Sequence, residues 1–271
     1  MTEITNSLFW LPLGMYLAGW VLEFIRFWRA DIEVAHWGSS VIAVGWGGHT
    51  IFLIISLAEG EINIELLLGL SAWASMILYY IIQRRYRETG FGYVVPPFAV
   101  ALLLVAALNS SGSILLPEAV TSPVLTRNLL IIHIVAVMGG LVLFALACLF
   151  SVAYLYQERK IKTRLLDVKE SRLPSLASLE HLNHKAITLG FFFLSAGILL
   201  GVLVSAMHNL PLRLFNWRQI IPALTWLVYA AFLIEHTLQS RRGRFAAFWS
   251  IGGFIFVTSA LVIELVLVVR E

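Results

Sequence analysis

From Asn128 to Gln157 the chain runs without a single Lys, Arg, Asp or Glu. About 20 apolar residues, each rising 1.5 Å along a helix, cross the hydrocarbon core of a bilayer. Only structures that satisfy their own backbone hydrogen bonds survive there, which favours helices. Eight such spans are predicted: Leu8–Trp28, Val34–Leu57, Ile64–Gln83, Tyr93–Leu108, Asn128–Gln157, Lys185–Met207, Gln219–Leu238 and Phe245–Val269. The fifth is expected to project beyond the lipid. The fourth is the shortest, and Pro96-Pro97 should kink it or delay its start. The expected fold is all-α, a polytopic membrane bundle of eight transmembrane helices. It forms a single integral membrane domain over 1–271, with the first four helices in 1–108.

Composition points the same way. Of 271 residues, 59% are hydrophobic and 13% charged, against about 25% charged in soluble domains. Cys148 stands alone inside an apolar run, so an intrachain disulfide framework and a thiolate metal site are excluded. A net charge of +3 is too small to argue for a nucleic-acid partner. No removable signal peptide is expected, since the first segment lacks a basic start and a small-residue cleavage site.

Charge placement sets the orientation. Every Lys and Arg except Arg127, Arg213, Arg218 and Arg270 follows an odd-numbered span or precedes an even-numbered one. Cytoplasmic loops collect positive charge. Both termini are therefore expected to be exoplasmic, in a bacterial cytoplasmic (inner) membrane. Asn109–Arg127, outside, should rest on the membrane surface. Glu158–His184, inside, should end in a short amphipathic helix, Ser175–His184, that leads into span six. It is also the place where a protein partner would dock, although its basic residues equally read as topological signals. Trp10 and Trp217 should anchor the outer interface, and Trp28 and Trp37 the inner one. Gly197, Gly201 and Ser205 form a stripe of small residues suited to close helix packing.

Four histidines interrupt this apolar background: His49, His133, His208 and His236. Ionisable groups within spans are costly and rare, and neutral imidazole is a common ligand for iron. No two of the four are three or four residues apart, so any shared site must draw on separate helices. That pattern suits haem held between paired histidines better than a local zinc motif. By depth, His133 and His208 make a natural outer pair. His49 competes for it, and His236 suits a second, inner site, with His49 if that helix tilts. The alternative for each is an interhelical hydrogen bond. His36, His181 and His184 belong to the cytoplasmic edge and are expected to be ordinary polar contacts. Glu264 could accept a hydrogen bond from a ligand imidazole, or pair with Arg127 or Arg213. Ligation requires neutral imidazole, so affinity should fall below about pH 6.5.

The second half resembles a known family. The likeness begins at Leu129-Leu-Ile-Ile-His133 and runs through Leu143-Phe-Ala-Leu-Ala147 and Tyr154-Leu-Tyr-Gln-Glu-Arg-Lys160. It continues at Ser178-Leu-Glu-His-Leu-Asn183 and Ile187-Thr-Leu-Gly190. It is clearest at Ala223-Leu-Thr-Trp-Leu-Val-Tyr-Ala230, His236, the Arg241–Phe248 stretch and Gly252-Gly-Phe254. Over residues 129–256 the chain resembles the CcsA/HemX group of cytochrome c assembly membrane proteins. Gly48-His49-Thr50 is similar to the HemX/YpjD branch. The resemblance implies that His133 and His236 are haem ligands and that His49 and His208 form an additional pair. It implies a haem b cofactor, one or two per chain, with Trp217 near the ligands; Glu264 joins them as a neighbour by its position in span eight. The tryptophan-rich outer loop of the full synthases is reduced here to Phe215-Asn-Trp-Arg218, and the late outer histidine after span eight is missing. An enzymatic haem attachment is therefore not expected. Haem binding for transfer or cytochrome biogenesis is expected, against a haem-free regulatory or scaffold subunit controlling a tetrapyrrole-synthesis enzyme, as the HemX likeness also implies.

Overall fold

The computed structural model describes residues 3–29, 32–59, 64–86, 92, 94–108, 124–163, 174–207, 217–239 and 243–270. Among them are eight helices and no strand: α1 (Glu3–Arg29), α2 (Ile32–Glu59), α3 (Ile64–Tyr86), α4 (Val95–Leu108), α5 (Val124–Lys162), α6 (Leu176–Met207), α7 (Trp217–Gln239) and α8 (Arg244–Arg270). Five carry stretches long and apolar enough to cross a membrane: Leu8–Ile25, Trp37–Ala58, Glu65–Arg85, Asn128–Lys162 and Leu176–Met207. Val95–Leu108, Ile220–Glu235 and Arg244–Ser259 are shorter apolar segments. Large apolar side chains also point outward, Leu199 at 71% exposure, Phe192 at 66% and Ile54 at 61%. Apolar surface of that extent calls for a covering of lipid or partner.

Local sequence explains the helix ends. Pro96 and Pro97 fall in the first turn of α4, where backbone N–H groups have no helical acceptor to lose. The helix therefore starts at Val95, two residues later than the predicted span. The amphipathic helix expected to lead into span six is the opening of α6, which continues through Lys185 to Met207 without a break. Ser175 caps it. Its side-chain oxygen accepts from the Ser178 N–H at 3.1 Å, and its carbonyl accepts from Leu179 N–H at 3.0 Å. With a cap at Ser175 and no breaker after it, nothing divides the amphipathic turns from the apolar ones.

The chain forms two compact units, residues 1–117 with 170–174, and residues 118–169 with 175–271. In the first, α1 packs on α2 and α3 on α4, with further contacts between α1 and α4 and between α2 and α3. Phe9, Tyr16, Ile42, Phe52, Met76 and Leu103 are among its fully buried residues. In the second, α5 packs along α6 and α8, and α7 on α8 and α6. At its centre Phe144 and Tyr229 stack at 3.6 Å with 3° between their planes.

Candidate functional site

His49 lies on α2 in the first unit and is completely buried. Its neighbours come from three helices. From α1, the Tyr16 hydroxyl sits 3.2 Å from His49 Nδ1. On its own helix, Phe52 tilts against the ring at 6.2 Å. From α3, Gly69 faces it, and a Cβ built there would stand 3.5 Å from Nε2. Nε2 is buried and has no hydrogen-bond partner. If Tyr16 donates to Nδ1, the remaining Nε2–H finds no acceptor. If Nδ1–H donates to Tyr16, a bare Nε2 lone pair is left inside an apolar wall. Either arrangement leaves one nitrogen unsatisfied, at a cost of about 1–3 kcal/mol. The donor chemistry suits a metal, while the packing seals that nitrogen from anything as large as a porphyrin until α2 and α3 part.

His133 lies on α5 in the second unit and is half-buried. Its Nδ1–H donates to the Gly197 carbonyl of α6 at 2.7 Å. A carbonyl oxygen can only accept, so this bond fixes the tautomer. In the neutral ring the proton is then on Nδ1 and Nε2 carries the lone pair. Metal-ligating histidines are held in this way, with the distal nitrogen bound to a carbonyl or carboxylate. The Gly197/Gly201 stripe makes the seat. A Cβ on Gly197 would lie 2.7 Å from Val137 Cγ2, and one on Gly201 would lie 2.9 Å from His133 Cε1. These two glycines thus do more than bring helices close, because they also leave the imidazole its space.

The other predicted residues fall at the edge of what is described. His208 lies outside the described residues. His236, Trp217 and Glu264 belong to α7 and α8, with their side chains outside the description. His236 shares the second unit with His133, and His49 belongs to the first. Among the described residues no three His, Cys, Asp or Glu side chains converge on a common point. Trp10 and Trp37, predicted as interfacial anchors, are 54% and 69% exposed. Of the carboxylates in the spans, Glu23 is 1% exposed. Gly38 and Gly92 flank it, where Cβ atoms would come within 3.0 Å and 3.1 Å of its carboxylate oxygens.

Sequence reasoning missed Tyr16 as the partner of His49 and Thr50 as the acceptor for Trp73, whose indole N–H reaches it at 2.8 Å. Neither pair has a sequence signal, since each joins different helices. A partner for His133 was signalled only indirectly, by the small-residue stripe on α6.

A family model described as "Cytochrome C assembly protein" matches residues 61–267, reaching beyond residues 129–256 at both ends. The chain is similar to "Cytochrome c biogenesis protein CcsA" of Heterosigma akashiwo, at 22% identity over 94% of this chain and 85% of that one. It is similar to "Protein HemX" of Brevibacillus brevis, at 24% identity over 91% of each chain. Against "Protein HemX" of Bacillus subtilis it is 21% identical over 86% of this chain and 84% of the relative. No solved structure matches it. With the apolar helices and a family match spanning most of its length, the chain belongs to the cytochrome C assembly protein family and is a multi-pass membrane protein of the CcsA/HemX type.

Proposed function

We propose that this protein handles haem within a membrane, holding haem b through paired histidines for transfer or for cytochrome biogenesis. The observation that carries the reading is the His133 Nδ1–H bond to the Gly197 carbonyl, which presents Nε2 in the ligating form. His236 and His208 are the candidate opposing ligands, with Glu264 and Trp217 beside them, and His49 is the candidate for a second site. Cytochromes of the c type carry haem, so the names of the relatives fit a chain that binds, protects or hands over that group. When bound, haem supplies the iron. This chain's own part is to orient an imidazole, keep its proton on Nδ1 and exclude water.

In this reading all eight helices span a bacterial cytoplasmic membrane, with both termini exoplasmic. A protein partner would meet the charged Glu158–His184 segment, whose residues 164–173 lie outside the described ones. The experiment is an absorption spectrum of chain purified from haem-replete cells. A Soret band with reduced α and β bands is expected, weakened in His133→Ala and His236→Ala. A spectrum that both variants leave unchanged would remove these residues from the site.

A further inference from the structure

One pattern of contacts occurs twice in this chain. On α2, the Thr50 hydroxyl donates to the Trp46 carbonyl at 2.8 Å and accepts from the Trp73 indole N–H of α3 at 2.8 Å. The Trp73 ring stacks on Trp46 at 5.6 Å. On α6, the Ser195 hydroxyl donates to the Phe191 carbonyl at 2.7 Å and accepts from the Trp226 indole N–H of α7 at 2.8 Å. The Trp226 ring lies against Phe191 at 5.2 Å. Both times, a hydroxyl one helical turn after an aromatic ring clasps an indole from the next helix.

The correspondence extends beyond the clasp. The step along the chain from Trp46 to Phe191 also carries Gly45 to Gly190, Gly48 to Phe193 and Thr50 to Ser195. Gly45 faces Tyr16 of α1, and Gly190 faces Phe144 of α5, with built Cβ atoms 3.2 Å and 2.8 Å from those rings. Gly48 faces Leu11 of α1, and Phe193 faces Gly139 of α5. Leu11 precedes Tyr16 by as many residues as Gly139 precedes Phe144. Helices α3 and α7 have 23 residues each, with the clasped Trp at the same place in both. Val95, Ala99 and Ala106 of α4 are buried at the spacing of Ala246, Ser250 and Val257 of α8. All four helix pairings of the first unit recur in the second. Helices that are apolar all round leave rotation and register open. One rotation and one register shared by corresponding helices therefore mark a single fold used twice.

The two units differ where the histidines sit. His49 and Tyr16 have Leu194 and Phe144 as counterparts, both apolar. Gly197 and Gly201 have Phe52 and Ser56 as counterparts. Phe52 is fully buried, so the first unit lacks the open seat that holds His133 in the second. Each clasp adjoins its own unit's histidine. Thr50 directly follows His49, and Ser195 lies two residues from Gly197, whose carbonyl holds His133. A hydroxyl bonded to the carbonyl four residues back bends its helix, and the indole of the next helix fixes that bend in place. We propose that the chain consists of two copies of one four-helix unit, and that Trp73 with Thr50 and Trp226 with Ser195 are positioning residues for His49 and His133. The clasp acts on the imidazoles with or without haem.

The test is nitrogen NMR of the full chain in lipid, produced under haem limitation with isotope-labelled histidine. H133Q and H49Q identify the two signals by their loss. S195A should lower the Nδ1-protonated share of His133 by at least about half, because the bond to Gly197 loosens. T50A should shift the His49 nitrogens in the same way. The exchanges S195T and T50S give each unit the other's hydroxyl, and both histidines should then keep their wild-type signals. An unchanged His133 in S195A or an unchanged His49 in T50A overturns the proposal. So does an exchange variant as disturbed as the alanine one. Where an alanine variant does not fold, W226F or W73F cuts the same bond and decides in its place. No haem enters this measurement, so its failure is distinct from the absence of a Soret band.

Discussion

Gly201 of α6 and His133 of α5 share one space, since a methyl group on Gly201 would stand 2.9 Å from the imidazole Cε1 and 3.2 Å from Nδ1. Gly201→Ala is therefore expected to push the ring off the Gly197 carbonyl. Overpacking of this kind costs about 1–3 kcal/mol. Thermal unfolding in detergent measures the loss, and a haem-bearing preparation should lose absorbance with it. An unchanged melting temperature would mean that the ring has somewhere else to go.

Tyr16→Phe removes the only hydrogen-bond partner that His49 has among the described residues. Both ring nitrogens would then be buried and unpaired. Destabilisation of about 1–3 kcal/mol is expected, read as a lower unfolding midpoint. Wild-type stability in this variant would show that His49 does not depend on the hydroxyl.

Much of this arrangement was legible beforehand and some of it was not. Apolar runs and basic loops mark the helices, because length in lipid and charge outside it are one-dimensional properties. Gly197 and Gly201 announce a close approach, yet the residue that fills it, His133, lies 64 positions from the carbonyl it binds. The Tyr16–His49 contact spans 33 positions and follows from how α1 and α2 rotate against each other. Apolar periodicity leaves that rotation open in helices that are hydrophobic on every side. Ser175–His184 read as a short amphipathic helix leading into span six, and whether the two were continuous was not legible. Its surface differs from that of the following turns, although its backbone continues into them.

Gly190→Ala and Phe144→Ala should not add. A Cβ on Gly190 would stand 2.8 Å from Phe144 Cε1, and Phe144 is fully buried in its stack with Tyr229. The alanine at 190 is expected to cost about 1–3 kcal/mol and the loss of Phe144 about 3–5 kcal/mol. Together they should cost less than the sum, because the smaller side chain removes the clash. A double-mutant cycle on unfolding midpoints measures the coupling, and strict additivity would contradict the contact.

Replacing residues 164–173 with a Gly/Ser linker of equal length, flexible and uncharged, should leave the haem spectrum unchanged. None of the candidate ligands lies in that stretch. Loss of a regulatory effect with the spectrum intact would assign docking to the segment. Loss of the spectrum would tie haem binding to it instead.

The most direct measurement is the haem-to-protein ratio of the purified full chain, taken with its reduced-minus-oxidised spectrum, beside His133→Ala. The account predicts one or two haem b per chain and a clear fall in that ratio when His133 is removed. A colourless wild-type protein from haem-replete cells would contradict it.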